Sequence, residues 1–397
     1  MIESVSNSGD GIGKCRVESG GDGSEGDWVV FVPYAITGEK VSVRISKNFK
    51  RYSQGSLARV LEASPHRVEP KCEYFTQCSG CQYQHMSGDH SREMKRSQVK
   101  DAMSRIGGMG AAELLAVSAT VGAGGDYGYR TKLTPHLERR AGKTTVGFVG
   151  AAGALLDVRR CDIASEAINR RLTQARAELS AAEGGDVKET LLFRDCAQGV
   201  EVSGSRNVTE TVGGIDFHFR AGDFFQNNRA VLPLLVEHLR RSATAGGMTH
   251  LVDCYCGSGL FSLALAGGFD RVYGVEVEAS AVASARSNAQ RGGIDNVSFL
   301  CASAERIFAG AVAALPRHTT AVIMDPPRSG ADKAFIEQLL QFSPRRIVYV
   351  SCDPATQARD LKLLLAGGYR LEDATPFDMF PNTKHIECVA TLVKHKL

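Results

Sequence analysis

The 397-residue chain contains no apolar run that approaches the roughly 20 residues needed to cross a membrane. Its first residues, which include Glu3 and Asp10, have no apolar segment, so the pattern of a secretory signal is also missing. The net charge of +3 at pH 7 is too small to indicate a polyanionic partner by itself, and no internal repeat is found. We therefore expect a cytoplasmic protein with no membrane partner.

The composition that is present, 43% hydrophobic and 23% charged residues, is typical of a globular protein. The length predicts two or three domains, because a single core rarely grows beyond about 250–300 residues. Residues 1–62 alternate apolar and polar side chains between glycine-rich turns, which predicts a small β-barrel of the oligonucleotide-binding (OB) type. Ser64, Pro65 and Pro70 then break this alternation and mark a boundary.

From residue 250 onward, strand and helix patterns alternate, which predicts a parallel sheet with helices on both faces. Two strand-like runs, 369–377 and 387–393, have no helical pattern between them, so we expect an antiparallel hairpin at the sheet edge. The fold class is therefore α/β. We divide the chain into a β-barrel at 1–63, a cysteine-containing central α+β region at 64–210 and an α/β domain at 211–397.

Positive charge is concentrated between Glu39 and Lys71, where the sequence contains eight Lys and Arg residues and three Glu. The aromatic Tyr52 lies among them. A basic strand surface with aromatic side chains suits contact with a phosphate backbone and with bases. A solvated strand face is the alternative interpretation.

A glycine turn occupies residues 252–260, VDCYCGSGL, between a predicted strand and a predicted helix. Such a turn lets a ligand approach the backbone closely. Glu276 ends the next strand, 23 residues after Asp253, where a carboxylate can accept hydrogen bonds from ribose hydroxyls. The single Gly-x-Gly is shorter than the pyrophosphate fingerprint, so a nucleoside such as S-adenosylmethionine fits better than NAD. A structural glycine turn in another nucleotide-binding fold stays open.

Two further loops follow the fourth and fifth strands of the predicted sheet. In residues 324–330, MDPPRSG, Arg328 stands where methylases of exocyclic amines usually carry an aromatic residue. In residues 350–357, VSCDPATQ, Cys352 lies at the same sheet edge. Carbon 5 of uracil is a poor nucleophile until a thiolate adds to carbon 6, so we predict that Cys352 is the nucleophile of such a reaction.

The same chemistry requires a general base that removes the hydrogen from carbon 5. Glu387 begins the last strand, which we expect to run antiparallel, so its start lies at the edge where the strand before Cys352 ends. We therefore predict that Glu387 is the base.

Four cysteines are spaced as ligands: Cys72, Cys78, Cys81 and Cys161. Four thiolates fit either tetrahedral zinc or an iron–sulfur cluster, and the spacing leaves both open. A radical methylase would require Cys-x3-Cys-x2-Cys, which this spacing excludes.

Five motifs in order resemble the RNA uracil-5 methyltransferase family: 222–227 (GDFFQN), 253–259 (DCYCGSG), 325–328 (DPPR), 351–354 (SCDP) and 385–387 (HIE). The resemblance implies a Rossmann-like S-adenosylmethionine-dependent methyltransferase domain, with Cys352 as nucleophile and Glu387 as base. It also implies that four residues contact the cofactor, namely Gln226, Tyr255, Glu276 and Asp325. The chain departs from the family at Cys254, usually Leu, and at Leu260, usually a polar residue.

Relatives that share the cysteine spacing carry a [4Fe–4S] cluster, so the resemblance implies this cluster on the four cysteines, where it would fold the segment and shape the RNA surface. Residues 1–62 resemble the RNA-binding barrel called TRAM. We expect a monomer that acts on RNA, with 23S rRNA favoured and tRNA as the second substrate.

Two other functions compete with this interpretation. A cytosine-5 RNA methyltransferase normally has a cysteine after the strand-four proline, where Arg328 stands. An inactive RNA-binding or assembly factor would have no need of both Cys352 and Glu387, which argues against it.

Overall fold

The computed structural model of the protein describes residues 1–19, 24–151, 153–181, 185–303, 306–308 and 310–394. Its strands are β1 (Ile2–Val5), β2 (Asp10–Ser19), β3 (Ser24–Pro33), β4 (Lys40–Asn48), β5 (Tyr52–Glu62), β6 (Lys132–Leu133), β7 (His136–Arg140), β8 (Lys143–Val149), β9 (Leu155–Asp157), β10 (Val187–Thr190), β11 (Phe193–Cys196), β12 (Gly199–Glu201), β13 (Asn207–Val212), β14 (Ile215–Arg220), β15 (His250–Cys254), β16 (Arg271–Glu276), β17 (Val297–Cys301), β18 (Thr320–Met324), β19 (Arg346–Ser351), β20 (Tyr369–Phe377) and β21 (Glu387–Lys394). Its α-helices are α1 (Gly88–Arg105), α2 (Ala111–Leu114), α3 (Glu166–Ala181), α4 (Leu232–Thr244), α5 (Leu260–Leu265), α6 (Ala279–Arg291), α7 (Gly310–Ala313), α8 (Lys333–Phe342) and α9 (Pro354–Ala366).

The first five strands form one sheet in the order β1-β2-β3-β5-β4. Two backbone hydrogen bonds bring its ends together, because Ile2 N donates to Glu39 O and Gly38 N donates to Ile2 O, both at 2.8 Å. Ile2, Val30 and Val32 are buried inside. The alternating pattern at the start of the chain therefore folds as the expected N-terminal barrel.

A buried ion pair joins the barrel to the segment that follows it. Glu39 is fully buried, and its carboxylate accepts hydrogen bonds from Arg67 Nε at 2.6 Å and Nη2 at 2.8 Å. The backbone amides of Ile36 and Ser64 donate to the same carboxylate. Arg67 is therefore held in this pair and does not belong to the exposed basic surface in which the sequence analysis included it.

The central region contains a four-stranded sheet, β10-β7-β8-β9, and a three-stranded sheet, β12-β11-β6. Helix α3 covers them, and its Ile168 and Leu172 pack in one cluster with Leu133, Leu137 and Val146. The apolar side of this amphipathic helix supplies the core of the region.

The C-terminal domain has a seven-stranded sheet in the order β17-β16-β15-β18-β19-β21-β20. Strands β15 to β19 are parallel, and β21 pairs antiparallel with both β19 and β20. Every residue of β18 and β19 is buried, as expected for parallel strands covered on both faces. The predicted edge hairpin is confirmed.

The sequence analysis missed helix α4. Its signal was present, because its buried residues recur at helical spacing: Leu232, Leu235, Val236, Leu239 and Ala243. No helix in the described residues is long and apolar enough to cross a membrane.

Candidate active site

Cys352 and Glu387 meet at the end of the β19–β21 ladder. The last pair of this antiparallel ladder is Ser351 with Cys388. Cys352 directly follows this pair on one strand and Glu387 directly precedes it on the other, and Glu387, which is 3% exposed, lies close enough for its charge to act on the Cys352 thiol. The antiparallel direction of β21 thus brings the two residues together across 35 positions of sequence.

Asp325 and Tyr255 lie at the ends of the neighbouring strands. Met324 of β18 pairs with Cys254 of β15, so the two residues that follow these strands are neighbours. Asp325 N donates to Cys254 O at 3.4 Å, and Tyr255 adopts a left-handed conformation with φ 65°. This conformation is rare for a residue other than glycine and turns the chain sharply at the start of the glycine loop.

Glu276 closes the glycine loop from the next strand. Its Oε2 accepts a hydrogen bond from Gly257 N at 3.1 Å, and its Oε1 accepts from Val277 N at 2.7 Å and Glu278 N at 3.0 Å. Tyr255 and Glu276 both line a cavity of about 280 Å³. The carboxylate keeps further lone pairs for a ligand in that cavity.

Asp253 lies beneath this loop and is fully buried. Its Oδ2 accepts hydrogen bonds from Ser262 N at 2.8 Å and Ser262 Oγ at 2.6 Å, whereas Oδ1 has no partner in the described residues. Burial raises the pKa of Asp253 to about 7 despite these bonds. Leu260, the departure noted above, is 8% exposed and packs in the core of the domain.

Gln226 lies in the loop between β14 and α4 and is 6% exposed. Within the described part of the chain, no hydrogen bond joins it to Tyr255, Glu276 or Asp325. The structure therefore brings three of the four expected cofactor residues to one sheet edge and gives Gln226 a buried place in a separate loop. Asn228 of that loop donates to Met379 O at 3.1 Å, in the connection before Glu387.

The charges around Cys352 are mixed. Burial raises the pKa of the Cys352 thiol to about 11, and the carboxylates of Glu387 and Asp325 add to the increase. Burial and the charge of Asp325 raise the pKa of Glu387 well above its ordinary value. Arg328 acts in the opposite direction on both groups.

The β20–β21 connection, residues 378–386, is held by parts of the chain far away in sequence. Asn382, with φ 65°, accepts hydrogen bonds at its carbonyl from Gln82 N and Tyr83 N, each at 3.0 Å. Its side-chain amide donates to Asp126 O at 2.6 Å. This anchoring was missed by the sequence analysis, because no local pattern relates residues 300 positions apart.

The four cysteines face one cavity of about 180 Å³, lined by Cys72, Cys78, Cys81 and Cys161. Burial raises the pKa of Cys81 to about 12 and that of Cys161 to about 11, and the mutual charge of the thiols contributes. The donor set suits zinc or an iron–sulfur cluster. Among the described residues, however, no three His, Cys, Asp or Glu side chains are arranged to hold a metal ion.

The barrel carries an aromatic and basic face. Phe49 stacks on Tyr52 with ring centroids 4.5 Å apart, and Tyr52 meets Phe31 edge-on at 5.3 Å. Lys47 Nζ lies 4.8 Å from the centre of the Phe49 ring. Seven of the eight basic residues between Glu39 and Lys71 are exposed: Lys40, Arg44, Lys47, Lys50, Arg51, Arg59 and Lys71.

Comparisons with known proteins identify the family of the chain. Residues 165–395 match the family described as tRNA (uracil-5-)-methyltransferase. The chain is 35% identical to the tRNA (uracil(54)-C(5))-methyltransferase of Schizosaccharomyces pombe, over 99% of this chain and 77% of the relative. It is 32% identical to an uncharacterized RNA methyltransferase of Halalkalibacterium halodurans, over 98% and 95% of the two chains.

Among solved structures, the fold resembles the tRNA (uracil-54, C5)-methyltransferase of Pyrococcus abyssi in complex with S-adenosyl-L-homocysteine. The TM-score is 0.72 at 24% identity, and the match covers 99% of both chains. The shared fold therefore includes the N-terminal barrel, the central region and the C-terminal domain.

Proposed function

The chain belongs to the tRNA (uracil-5-)-methyltransferase family and is an RNA uracil-5 methyltransferase, and from this we propose that it methylates a tRNA uridine through a covalent bond to Cys352. The observation that carries the proposal is the end of the β19–β21 ladder, where Ser351 pairs with Cys388 and the flanking residues Cys352 and Glu387 lie close together. A thiol and a buried carboxylate that lie close together can act as the nucleophile and the base that this chemistry needs.

The cofactor that fits the glycine loop is S-adenosylmethionine, which supplies an electrophilic methyl group on a sulfonium. Glu276 has lone pairs for the ribose hydroxyls beside a cavity that Tyr255 also lines. Asp325 directly follows β18, the neighbour of β15, and we propose it and Gln226 as the remaining contacts. The single Gly-x-Gly of this loop is shorter than the pyrophosphate fingerprint, which favours a nucleoside over a dinucleotide.

The reaction assigns one task to each side chain. The thiolate of Cys352 forms a bond to carbon 6 of the uracil, and the electron pair of the 5,6 double bond becomes available at carbon 5. Carbon 5 then takes the methyl group. Glu387 removes the proton from carbon 5, the 5,6 double bond forms again, and the bond from sulfur to carbon 6 breaks to release Cys352 as a thiolate. Burial makes Glu387 a stronger base than a carboxylate in water.

The target must leave the base stack to reach this sheet edge. The 35% identical relative of Schizosaccharomyces pombe is named as acting on uracil 54 of tRNA, which favours tRNA here. The cysteine spacing favours 23S rRNA, which remains the second candidate substrate.

Mass-spectrometric mapping of 5-methyluridine in tRNA and 23S rRNA from cells that lack the protein tests the proposal. We expect one tRNA position to lose its methyl group, and to regain it with the wild-type chain but not with Cys352→Ala. Loss confined to 23S rRNA would transfer the assignment to the second candidate. Unchanged 5-methyluridine in both RNAs would contradict the function.

We further propose that Cys72, Cys78, Cys81 and Cys161 hold a [4Fe–4S] cluster. Their shared cavity and their sulfur-only donor set support it. Methyl transfer consumes no electron, so the task of the cluster would be to fold the 72–81 segment. We propose that the chain divides into domains at 1–63, 64–210 and 211–397, so this segment belongs to the central region.

The aromatic and basic face of the barrel is the proposed RNA surface. Lys47→Glu combined with Phe49→Ala should weaken RNA binding and reduce its salt dependence, because a phosphate contact and a stacking platform are lost. The control Lys143→Glu makes the same charge change at the exposed β7–β8 turn. Equal RNA affinity for both variants would remove the barrel from the RNA site.

A further inference from the structure

Arg194 holds the start of the loop that carries Gln226, residues 221–227. Its Nε donates a hydrogen bond to Ala221 O at 2.7 Å, and its Nη2 donates to Asp223 O at 2.6 Å. Both donors belong to one planar guanidinium, so they hold the two carbonyls in a fixed relative position. The backbone of the loop is therefore set three residues before Gln226.

Lys132 adds a second cation at the same place. Its Nζ donates to Gly222 O at 2.7 Å, between the two carbonyls that Arg194 binds. Lys132 and Arg194 are register partners on β6 and β11, so one pair of strands in the central region supplies donors to three successive carbonyls of the loop. The other end of the loop is held by the same segment, because Thr131 N donates to Asn227 O at 3.1 Å.

A second route from Arg194 to Gln226 runs through two aromatic rings. The guanidinium carbon of Arg194 lies 5.1 Å from the centre of the Phe219 ring. Phe219 in turn stacks on Phe225, with ring centroids 4.5 Å apart and ring planes 4° from parallel. Phe225 is buried and directly precedes Gln226, so the stack fixes the backbone from which the glutamine side chain extends.

The stability of the fold does not by itself explain an arginine at position 194. The side chain is fully buried, and in the described part of the chain no carboxylate hydrogen bonds to it and its Nη1 has no partner. Burial lowers the pKa of Arg194 to about 10, which leaves the side chain charged at pH 7. A buried cation bound only by carbonyl oxygens is less stabilising than an apolar side chain of similar size. The placement of the loop carbonyls does explain the arginine.

We propose that Arg194 is a positioning residue for cofactor binding, which holds the 221–227 loop so that Gln226 reaches S-adenosylmethionine. Lys132 assists it at Gly222. This role rests on the proposed contact between Gln226 and the cofactor. The central region, outside the α/β domain, thereby determines part of the geometry of the cofactor site.

Binding of S-adenosylhomocysteine, measured by isothermal titration calorimetry without RNA, tests this role. Arg194→Met removes both donors and should raise the Kd about tenfold, the loss expected when one cofactor hydrogen bond is misplaced. Arg194→Lys keeps the charge without the fork and should fall between wild type and Arg194→Met. The control Arg139→Met removes another arginine of the central region that donates to a main-chain carbonyl, Leu179 O at 2.7 Å, and should leave the Kd unchanged.

A double-mutant cycle separates positioning from a general loss of stability. Gln226→Ala should raise the Kd, and adding Arg194→Met to it should raise the Kd little further, because the side chain that Arg194 positions is already absent. Melting temperatures verify that binding is measured on folded protein. If Arg194→Met does not fold, Arg194→Lys takes its place in the same cycle.

An unchanged Kd in the folded Arg194 variant, or effects of the Arg194 and Gln226 substitutions that add in full, would overturn the positioning role. Gln226→Ala without effect on the Kd would remove the proposed cofactor contact and the positioning role with it. Failure of the proposed function is distinguishable, because the titration contains no RNA. A protein that shows the expected cycle and yet methylates neither tRNA nor 23S rRNA would contradict the methylation and leave the role of Arg194 intact.

Discussion

Lys95 and Asp378 form a fully buried ion pair, in which Lys95 Nζ lies 2.6 Å from Asp378 Oδ1. The two residues are 283 positions apart. Lys95 Nζ also donates to Phe380 O at 3.1 Å, and Arg92 Nη1 lies 3.9 Å from Asp378 Oδ2. Helix α1 is thereby fastened to the connection that carries His385 and leads to Glu387.

Replacing Lys95 by Met should strongly destabilise the protein, because the Asp378 carboxylate would stay buried without its main partner. We expect a loss of about 3 kcal/mol in the free energy of unfolding. The loss is not larger because Arg92 still offsets part of the charge of Asp378. Urea unfolding measures it. The control Lys100→Met, on the same helix and partly exposed, should change stability by about 0.5 kcal/mol or less. A Lys95→Met protein as stable as this control would contradict the importance of the pair.

The order of chemical steps separates Cys352 from Glu387. Glu387→Gln keeps the nucleophile and removes the base, so a methylated protein–RNA adduct should accumulate and survive denaturing electrophoresis. Cys352→Ala should form no adduct and no product while still binding RNA. Peptide sequencing locates the bond. An adduct at the buried Cys254, Cys256 or Cys388 would show that the nucleophile is assigned wrongly.

The cysteine cavity predicts a coloured protein. Purified without oxygen, the chain should be brown and contain about four iron atoms, as a [4Fe–4S] cluster requires. Cys78→Ser should lose the colour and the iron and reduce the yield of folded protein. Cys301→Ser, at an exposed cysteine outside the cavity, should retain both. Stoichiometric zinc without visible absorbance would replace the cluster assignment with a zinc site.

Asp253 makes stability depend on pH. Its folded-state pKa, raised by burial to about 7, lies above the ordinary 3.8, so the folded state keeps the proton to higher pH than the unfolded state does. The protonated Asp253 therefore contributes stability to the folded state that is complete below pH 3.8 and is lost as the pH rises towards 7. Asp253→Asn removes the buried charge and should raise the melting temperature at pH 8 relative to wild type. This gain should shrink as the pH falls to 5; an equal gain at both pH values would exclude Asp253 as its source.

The sequence predicted the C-terminal sheet well, because buried parallel strands and amphipathic helices are local patterns. The edge hairpin was also predictable, since no helical pattern separates β20 from β21. This topology was enough to bring the region of Cys352 towards Glu387. The details around that pair were not predictable, because Arg328 and His385 meet only when two separate loops fold.

The buried polar contacts escaped sequence analysis for a related reason. Lys95 lies in a helix with many charged residues, and no local sequence pattern distinguishes it from a partly exposed lysine such as Lys100. Arg67 was grouped with the basic barrel surface, although Glu39 holds it inside. Burial of a charge depends on a distant partner, which composition and periodicity do not report.

The hydrogen bonds from Gln82 and Tyr83 to the carbonyl of Asn382 have a consequence for biosynthesis. Synthesis runs from the N-terminus, so the amides of Gln82 and Tyr83 cannot bind the carbonyl of Asn382 until about 300 further residues have been made. At 5–20 residues per second this interval is about 15–60 s on the ribosome. The cysteine segment therefore completes its native contacts only after nearly the whole chain has been translated. It does so together with the folding of the β20–β21 connection, residues 378–386, which leads to Glu387.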